Sequence, residues 1–238
     1  MIKKILIDQR GNVLYWSSGD LHTLFGKILE EDLKKSTSMV ESHTNKKFIM
    51  FDAAFPDQTD KIERGPAVIG KKDIGMIMAT TGINRSSKVV DIGTGPGMLA
   101  LHLANVCDHV ISYEKNPEVA VIAKKNMEKL GLKVTIKNKD AGEGIDEKEV
   151  DVMTIDLKEP WLILDQVHQA LKSGGFAVAY CPQATQIHQF CNEAAKKNFY
   201  LYKVCELIER EWTVEDQKCR PNSGGIMHTG FLVFIRKY

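Results

Sequence analysis

The sequence contains no Cys-x-x-Cys pair. Its five cysteines, Cys107, Cys181, Cys191, Cys205 and Cys219, are odd in number and far apart. That argues against a zinc site and against a disulfide framework, and it points to a reducing, cytoplasmic home. No apolar run is long enough to span a bilayer, and Met1-Ile2-Lys3-Lys4 is not followed by the hydrophobic segment of a secretory signal. An excess of charge is missing as well. The net charge is +1, so the bulk balance does not announce a nucleic-acid partner, although a local cationic patch suffices for one. There are no repeats and no low-complexity tract. What is present is a chain of 238 residues, 43% hydrophobic, enough for one α/β domain with a small additional one and with no metal expected.

Two segments differ in character. Residues 1–62 carry short β-rich runs at 2–7, 13–16 and 48–51, punctuated by Gly11-Asn12, Ser17-Ser18-Gly19-Asp20 and Asn45. They predict a small β-rich N-terminal domain that ends in a linker near 55–62. Residues 63–238 alternate strand and helix. Asp73 is placed to N-cap a helix over 74–81 closed by Gly82, and Asn116-Pro117 opens a helix that Gly131 follows. Strands are expected at 134–137 and 150–155, apolar enough for a buried parallel sheet. A helix over 162–172 should stop at Gly174-Gly175. A strand at 176–181, a helix over 183–197 and strands at 200–208 and 230–235 complete the pattern.

The most informative stretch is Val89-Val90-Asp91-Ile92-Gly93-Thr94-Gly95-Pro96-Gly97. A β-branched run ends in three glycines, a helix is expected over 98–106, and a second strand at 109–113 ends in Glu114. This is a βαβ unit with a Gly-rich turn after its first strand and a carboxylate, able to grip both ribose hydroxyls, at the tip of its second. The spacing G-x-G-x-G is one residue shorter than the dinucleotide form, which disfavours an NAD-dependent dehydrogenase. With Asp91 just ahead, it resembles the S-adenosylmethionine (SAM) loop of class I methyltransferases. A structural tight turn is the plain alternative. Ligands in open α/β sheets bind outside the carboxyl ends of the strands. There the sequence places the glycine loop, Glu114, Asp140-Ala141 and Asp156. A loop Asp such as Asp140 is a turn residue as often as a ligand. Asp156 closes an apolar strand and stands in Asp156-Leu157-Lys158-Glu159-Pro160-Trp161, a costly position for an acid unless it serves a site or a cap.

These residues carry a family resemblance over nearly the whole chain. Asp156-Leu157-Lys158-Glu159-Pro160-Trp161 resembles the D-L-x-E-P-W motif of the tRNA (adenine-N1)-methyltransferases that modify the T-loop, of the archaeal and bacterial single-subunit kind. Arg220-Pro221 followed by His228-Thr229-Gly230-Phe231-Leu232 resembles that family's R-P and H-T-G-F-L block. Arg64-Gly65 with Lys72-Asp73 resembles the element before its cofactor domain. The resemblance implies a class I SAM-dependent methyltransferase, Rossmann-like and mostly parallel, behind the small β-rich domain. It implies that Gly93, Thr94, Gly95, Pro96, Gly97 and Met98 line the SAM backbone, that Glu114 meets the ribose and Asp140-Ala141 the adenine, and that Asp156 stands at the reacting centre. It also implies a homotetramer that binds tRNA, with methylation at position 58 and a second acceptor at 57.

The chain departs from the family at three places. Ala67 and Gly70-Lys71 stand where relatives carry a Gln and then an aromatic or His-Pro pair. The stretch 222–227 is Gly-rich and lacks a frequent Arg. Val119 replaces a polar residue. On the substrate side we expect Lys71 and Lys72 to meet phosphates, which position RNA without reading its sequence, together with Arg220. Trp161 either walls the pocket or packs on the sheet edge. His228 is either a site residue or a satisfied histidine that orders the last strand. Two alternatives remain beside the tRNA methyltransferase: a small-molecule enzyme such as a tetrapyrrole methyltransferase, and a non-catalytic tRNA-binding subunit. The second need not keep its SAM residues, yet here they are all present.

Overall fold

The computed structural model describes residues 1–238 apart from Arg64, Pro66, Ala67, Asp216 and Ile226. The chain divides into two compact units, Met1–Ile62 and Glu63–Tyr238.

The first unit comprises β1 (Lys4–Ile7), β2 (Val13–Trp16), β3 (Leu21–Thr23), β4 (Gly26–Ile28), α1 (Glu30–Lys35), β5 (Met39–Glu41), β6 (Lys47–Asp52) and α2 (Phe55–Thr59). Four strands pair antiparallel in the order β2-β1-β6-β5, and β3 and β4 form a separate hairpin. Strand alternation sends Leu6, Trp16, Val40, Phe48 and Met50 to one face, where they close on Ile28 and on Leu33 of α1. The tight turn between β1 and β2 is held by Asp8, whose carboxylate accepts from the amides of Arg10 (2.8 Å) and Asn12 (2.9 Å), with Gly11 at a φ of 81°. The expected linker is in fact structured. Residues 55–59 form α2, and Gln58 clasps the first strand's entry: the Ile2 amide donates to Gln58 Oε1 (2.9 Å) and Gln58 Nε2 donates to the Ile2 carbonyl (2.5 Å). A five-residue helix shows no periodicity, and its anchor lies at the far end of the unit's sequence.

The second unit comprises α3 (Lys71–Thr81), β7 (Lys88–Ile92), α4 (Met98–Ala104), β8 (His109–Tyr113), α5 (Pro117–Leu130), β9 (Thr135–Lys137), β10 (Val150–Ile155), α6 (Leu164–Ala170), β11 (Leu171–Cys181), α7 (Ala184–Ala195), β12 (Phe199–Glu206), β13 (Trp212–Glu215), β14 (Lys218–Pro221) and β15 (Phe231–Lys237). Seven strands form one sheet in the order β12-β15-β11-β10-β7-β8-β9. The run from β11 to β9 is parallel, and β15 is antiparallel to both its neighbours. The strand order reverses at β7, with β8 and β9 on one side and β10 and β11 on the other. That is the switch point at which such sheets open a crevice. The central strands are buried on both faces: Val89, Val90, Ile92, Val152, Met153 and Ile155 are all at most 2% exposed.

Two expectations need correction. Asp73 does not cap α3. The helix starts three residues earlier behind Gly70, and Asp73 is a fully buried side chain in its first turn, because Lys72 and Thr229 supply it with partners. The helix expected over 162–172 is shorter. Pro160–Ile163 is a 3-10 turn, α6 ends at Ala170, and Leu171 already pairs with Val150 in β11. Burial of Leu171 in the sheet outweighs its helix propensity. Residues between Leu171 and Phe176 bulge out around Gly174, whose carbonyl accepts from Arg236 Nε (2.9 Å) and Nη2 (2.8 Å). The antiparallel pair β13–β14 has no counterpart in the sequence pattern, since its strands are only four residues each.

Candidate active site

The glycine loop follows from backbone geometry. Gly93, Gly95 and Gly97 have φ values of 87°, 53° and 95°, the left-handed region that side chains disfavour. A Cβ on Gly93 would overlap the carbonyl oxygen of Asp156, and one on Gly97 would lie 2.6 Å from Met127 Cε. The amides of Gly93 and Thr94 both donate to the Tyr113 carbonyl (2.9 and 3.1 Å), which ties the loop to the tip of β8. Asn126, buried on α5, donates to the carbonyls of Pro96 (2.8 Å) and Glu63 (3.0 Å). Sequence reasoning misses this residue; its one signal is an Asn within an amphipathic helix pattern.

Asp91 lies fully buried beneath the loop. Its carboxylate accepts from Ser112 Oγ (2.6 Å) and Thr154 Oγ1 (2.7 Å), and burial pushes its pKa up. The Ser112 proton is committed to Asp91, so Thr94 Oγ1 donates to Ser112 Oγ (2.6 Å). The Thr94 hydroxyl is therefore turned inward, toward Ser112. Thr94 and Met98 border only a pocket of about 20 Å³ behind the loop.

In front of the loop lies a cleft of about 740 Å³, the size of a small-molecule site. Gly93, Gly95, Pro96, Glu114, Asp140, Ala141 and Asp156 line it, with Val119, Ile122, Leu157 and Leu162 as apolar walls. The structure thus brings together most of the expected cofactor residues. Glu114 accepts from the amides of Gly95 (3.0 Å) and Asn116 (2.9 Å), so one carboxylate joins the loop to the start of α5. Exposed Asp140 caps the short turn after β9 by accepting from the Gly142 amide (2.8 Å). That turn is held from beneath by Tyr113, whose hydroxyl donates to Glu147 (2.5 Å) and accepts from the Asp146 amide (3.0 Å).

Asp156 is different. Its amide donates to the Ile92 carbonyl (2.8 Å), which fixes the backbone at the tip of β10. Its carboxylate has no hydrogen-bond or ion-pair partner among the described residues. Burial, then the charges of Asp91 and Glu114, push its pKa up to about 7.

The expected substrate residues fall at several places. A second cavity, about 770 Å³, opens between Gly70, Lys71 and Lys72 at the start of α3, the segment Glu209–Arg210–Glu211, and the residues 222–225 with Met227 and Thr229. Lys72 does not present its ammonium to solvent. It donates to both oxygens of Asp73 (2.9 and 3.0 Å) and to Thr229 Oγ1 (2.6 Å). Trp161 packs against the core of the second unit and does not line the cleft. Arg220 is exposed on β14, opposite Thr213. His228 has both ring nitrogens engaged, Nδ1 with Glu206 (2.5 Å) and Nε2 with the Pro182 carbonyl (2.9 Å). The Glu206 contact raises its pKa, so the histidine orders the entry to β15. Arg64 and Ala67, singled out in the sequence, lie outside the described residues. Among those described, no cluster of three or more His, Cys, Asp or Glu is placed to hold a metal, and no helix is long and apolar enough to cross a membrane.

The fold and the cleft define a class I SAM-dependent methyltransferase, and the comparisons with known proteins agree. The solved structure of a SAM-dependent O-methyltransferase from Thermotoga maritima superposes with a TM-score of 0.90 at 26% identity, covering 99% of this chain and 92% of that one. Residues 59–230 match the family described as tRNA methyltransferase complex GCD14 subunit, and the chain belongs to that family. It is 29% identical to the tRNA (adenine(57)-N(1)/adenine(58)-N(1))-methyltransferase TrmI of Methanocaldococcus jannaschii, over 98% of this chain and 94% of the relative. It is 26% identical to a tRNA (adenine(58)-N(1))-methyltransferase TrmI of Thermus thermophilus, over 98% of this chain and 96% of the relative. The protein is an enzyme, and its methyl donor is SAM.

Proposed function

We propose that this enzyme methylates N1 of an adenine in the T-loop of tRNA, at position 58 and, as in the Methanocaldococcus relative's name, at 57. The observation that carries the reading is the carboxylate of Asp156, held at the wall of the cleft with no hydrogen-bond or ion-pair partner among the described residues. The cleft fits the cofactor on its own terms: Gly93 and Gly95 bring backbone to its wall, the carboxylates of Glu114, Asp140 and Glu159 line it beside Asp156, and Val119, Ile122, Leu157 and Leu162 are apolar walls. We assign Gly93, Gly95 and Pro96 to the cofactor's backbone, Glu114 to the ribose hydroxyls, and Asp140 and Ala141 to the adenine ring. When bound, the cofactor supplies a methyl group already activated on a sulfonium. The protein then contributes orientation and electrostatics.

Adenine N1 has an in-plane lone pair and needs no base to remove a proton first. Methylation makes the ring cationic. As a carboxylate, Asp156 accepts a hydrogen bond from the exocyclic amino group and stabilises the charge that develops in the transition state. Asp91 and Glu114 add negative potential from the floor and side of the same cleft. A base within a folded loop must leave its stack to reach Asp156. Gly70 offers it no ring, and Trp161 is committed to the core, so capture of the base leans on the cavity at the start of α3.

We further propose that the chain self-associates, as a homotetramer. Support comes from one edge of the sheet. Edge strand β12 exposes Tyr200, Leu201, Tyr202 and Val204, each at least 40% accessible, apolar side chains on an open sheet edge that a monomer would leave in water. The free cysteines suit a reducing cytoplasm.

The test is to incubate the protein with labelled SAM and unmodified tRNA transcript, then map the modified nucleoside by mass spectrometry. We expect 1-methyladenosine, lost when adenine 58 is replaced and, for the second site, when 57 is. Label on a sugar oxygen, label only on a tetrapyrrole, or tRNA binding without transfer would each overturn the assignment.

A further inference from the structure

Two motifs far apart in the sequence meet in one buried network. Lys72 and Thr229 are 157 positions apart, yet Lys72 Nζ donates to Thr229 Oγ1 (2.6 Å) and to both carboxylate oxygens of Asp73 (2.9 and 3.0 Å). Thr229 Oγ1 in turn donates to Asp73 Oδ2 (3.0 Å). The Asp73 side chain is 0% exposed and that of Lys72 12%. An ammonium has three donors, and here all three point into the protein. The charge is matched at short range, which is the condition for keeping such a pair out of water.

The network is also anchored. The Tyr180 hydroxyl donates to the Thr229 carbonyl (2.7 Å). A Cβ at Gly230 would lie 2.5–2.8 Å from the Tyr180 ring, so the glycine exists to let that ring pass. His228, one residue before Thr229, is clamped by Glu206 and the Pro182 carbonyl. The start of α3 and the entry to β15 are thus fastened to each other, and both border the 770 Å³ cavity: Gly70 and Lys71 on one wall, Met227 and Thr229 on the other. Tyr180 stands near the tip of β11, the strand paired with β10 through Ile155 and Ala179, and Asp156 follows Ile155. The charge of Asp156 acts on the Tyr180 hydroxyl. Mechanical continuity runs from the cavity wall through Thr229 and Tyr180 to the strand tip that carries Asp156.

We propose that the Lys72–Asp73–Thr229 tie is a positioning device that holds the acceptor-side cavity in register with Asp156, and that Lys72 serves the reaction through this tie and not by contacting RNA phosphate. This rests on the methyl-transfer reading above. Lys72, Asp73 and Thr229 are positioning residues: none of them lines the cofactor cleft, and although Lys72 and Thr229 border the acceptor-side cavity, their polar atoms are spent on the tie.

The test uses the full chain with Thr229→Val, Thr229→Ser and Lys72→Met, all compared with wild type. SAM affinity is measured by calorimetry, the single-turnover rate at saturating tRNA, and the tRNA KM over a salt series. Thr229→Val is expected to slow single turnover by about tenfold, the scale of a charge-assisted hydrogen bond, with SAM affinity unchanged. Thr229→Ser, which keeps the hydroxyl, is expected to restore the rate. Lys72→Met is expected to slow single turnover while leaving the salt slope as in wild type. The proposal is overturned if Lys72→Met flattens the salt slope at an unchanged rate, which would mark a phosphate contact. It is also overturned if Ser fails to rescue, or if SAM affinity falls with the rate. Should Lys72→Met not fold, the Val–Ser pair decides alone, because Thr229 is only half-buried. Failure of the functional reading itself appears separately, in the wild-type product; the same variants are then read on whatever acceptor that product identifies.

Discussion

Asp73 and Asp156 belong to the same unit, the first fully buried and the second half-buried at the cleft wall, and they live in opposite surroundings. Asp73 has an ammonium and a hydroxyl within hydrogen-bond distance on its own carboxylate. Asp156 has no polar partner among the described residues, only two further acids nearby. A matched buried acid holds parts of a protein together. An unmatched one stores an unfavourable interaction that a ligand relieves, which is why strongly shifted groups gather at functional sites. The glycine-loop cleft and the Lys72–Asp73–Thr229 tie are therefore built on different principles, although one tyrosine, Tyr180, lies beside both.

The contrast can be broken most severely at Asp73. Asp73→Ala strands the Lys72 charge in a buried site, and removing one partner of such a pair costs about 3–5 kcal/mol. Urea denaturation of the intact chain should show a clear fall in the midpoint for the second unit; a loss within about 0.5 kcal/mol, the range of an ordinary surface substitution, would mean that Asp73 is not holding the tie.

Asp156→Asn should act in the opposite sense on stability and more strongly on rate. Single turnover should fall about a hundredfold, the scale for loss of an electrostatic partner of a transition state. Stability should rise. The folded-state pKa, about 7, lies above that of the unfolded chain. The native state therefore binds the extra proton, and the stability that this contributes is complete below the unfolded value and is lost as pH rises to about 7. Asn escapes that loss, so its melting temperature should exceed that of wild type by more at pH 8 than at pH 5. Equal differences at the two pH values would remove Asp156 from this role.

The same shift sharpens the comparison kinetically. If the carboxylate form is the active one, kcat/KM for tRNA should rise with pH and level off above about 7. Asp156→Asn should lack that limb, whereas Thr229→Val should keep it at a lower plateau. A limb of the same midpoint in the Asn variant would assign it to another group.

A smaller effect is expected at Glu114, whose two backbone contacts join the loop to α5. Glu114→Gln should weaken SAM binding by about tenfold, since a hydrogen bond to a charged group contributes about 1.5–3 kcal/mol, while the chain stays folded. Unchanged affinity in calorimetry would remove the ribose assignment. The mildest changes belong to exposed cations. Lys71→Ala and Arg220→Ala should each lower the salt slope of tRNA binding by about one and leave single turnover alone; a slope identical to that of wild type would make both residues solvated surface.

Part of this was legible without coordinates. The β7–α4–β8 unit was readable because each sign is local: a β-branched run, glycines at fixed spacing, an acid where the next strand ends. Helix α5 was bounded correctly by Asn116, which accepts from the amide of Glu118 (2.9 Å), and by Gly131 at a φ of 66°. Less was readable toward the other edge. The β13–β14 pair and helix α2 are too short to show a period, and the bulge in β11 is set by Arg236 from a strand that comes last in the chain. The partners of Thr94 and Lys72 were not readable, for one reason. A hydroxyl in a glycine loop and a lysine at a helix start look ligand-facing until the neighbour that claims them, Ser112 or Asp73 with Thr229, is known.

By itself the sequence determined the alternation of strand and helix, the glycine loop, and the acids at the strand tips, because backbone conformation and side-chain period depend on residues a few positions apart. Tertiary structure alone decided which of those acids is paired. It packed Trp161 against the core, closed His228 onto Glu206, and left Asp156 with no partner among the described residues beside Asp91 and Glu114. Pairing, burial and pKa depend on atoms brought together from distant parts of the chain, and no short pattern records which distant atoms those will be.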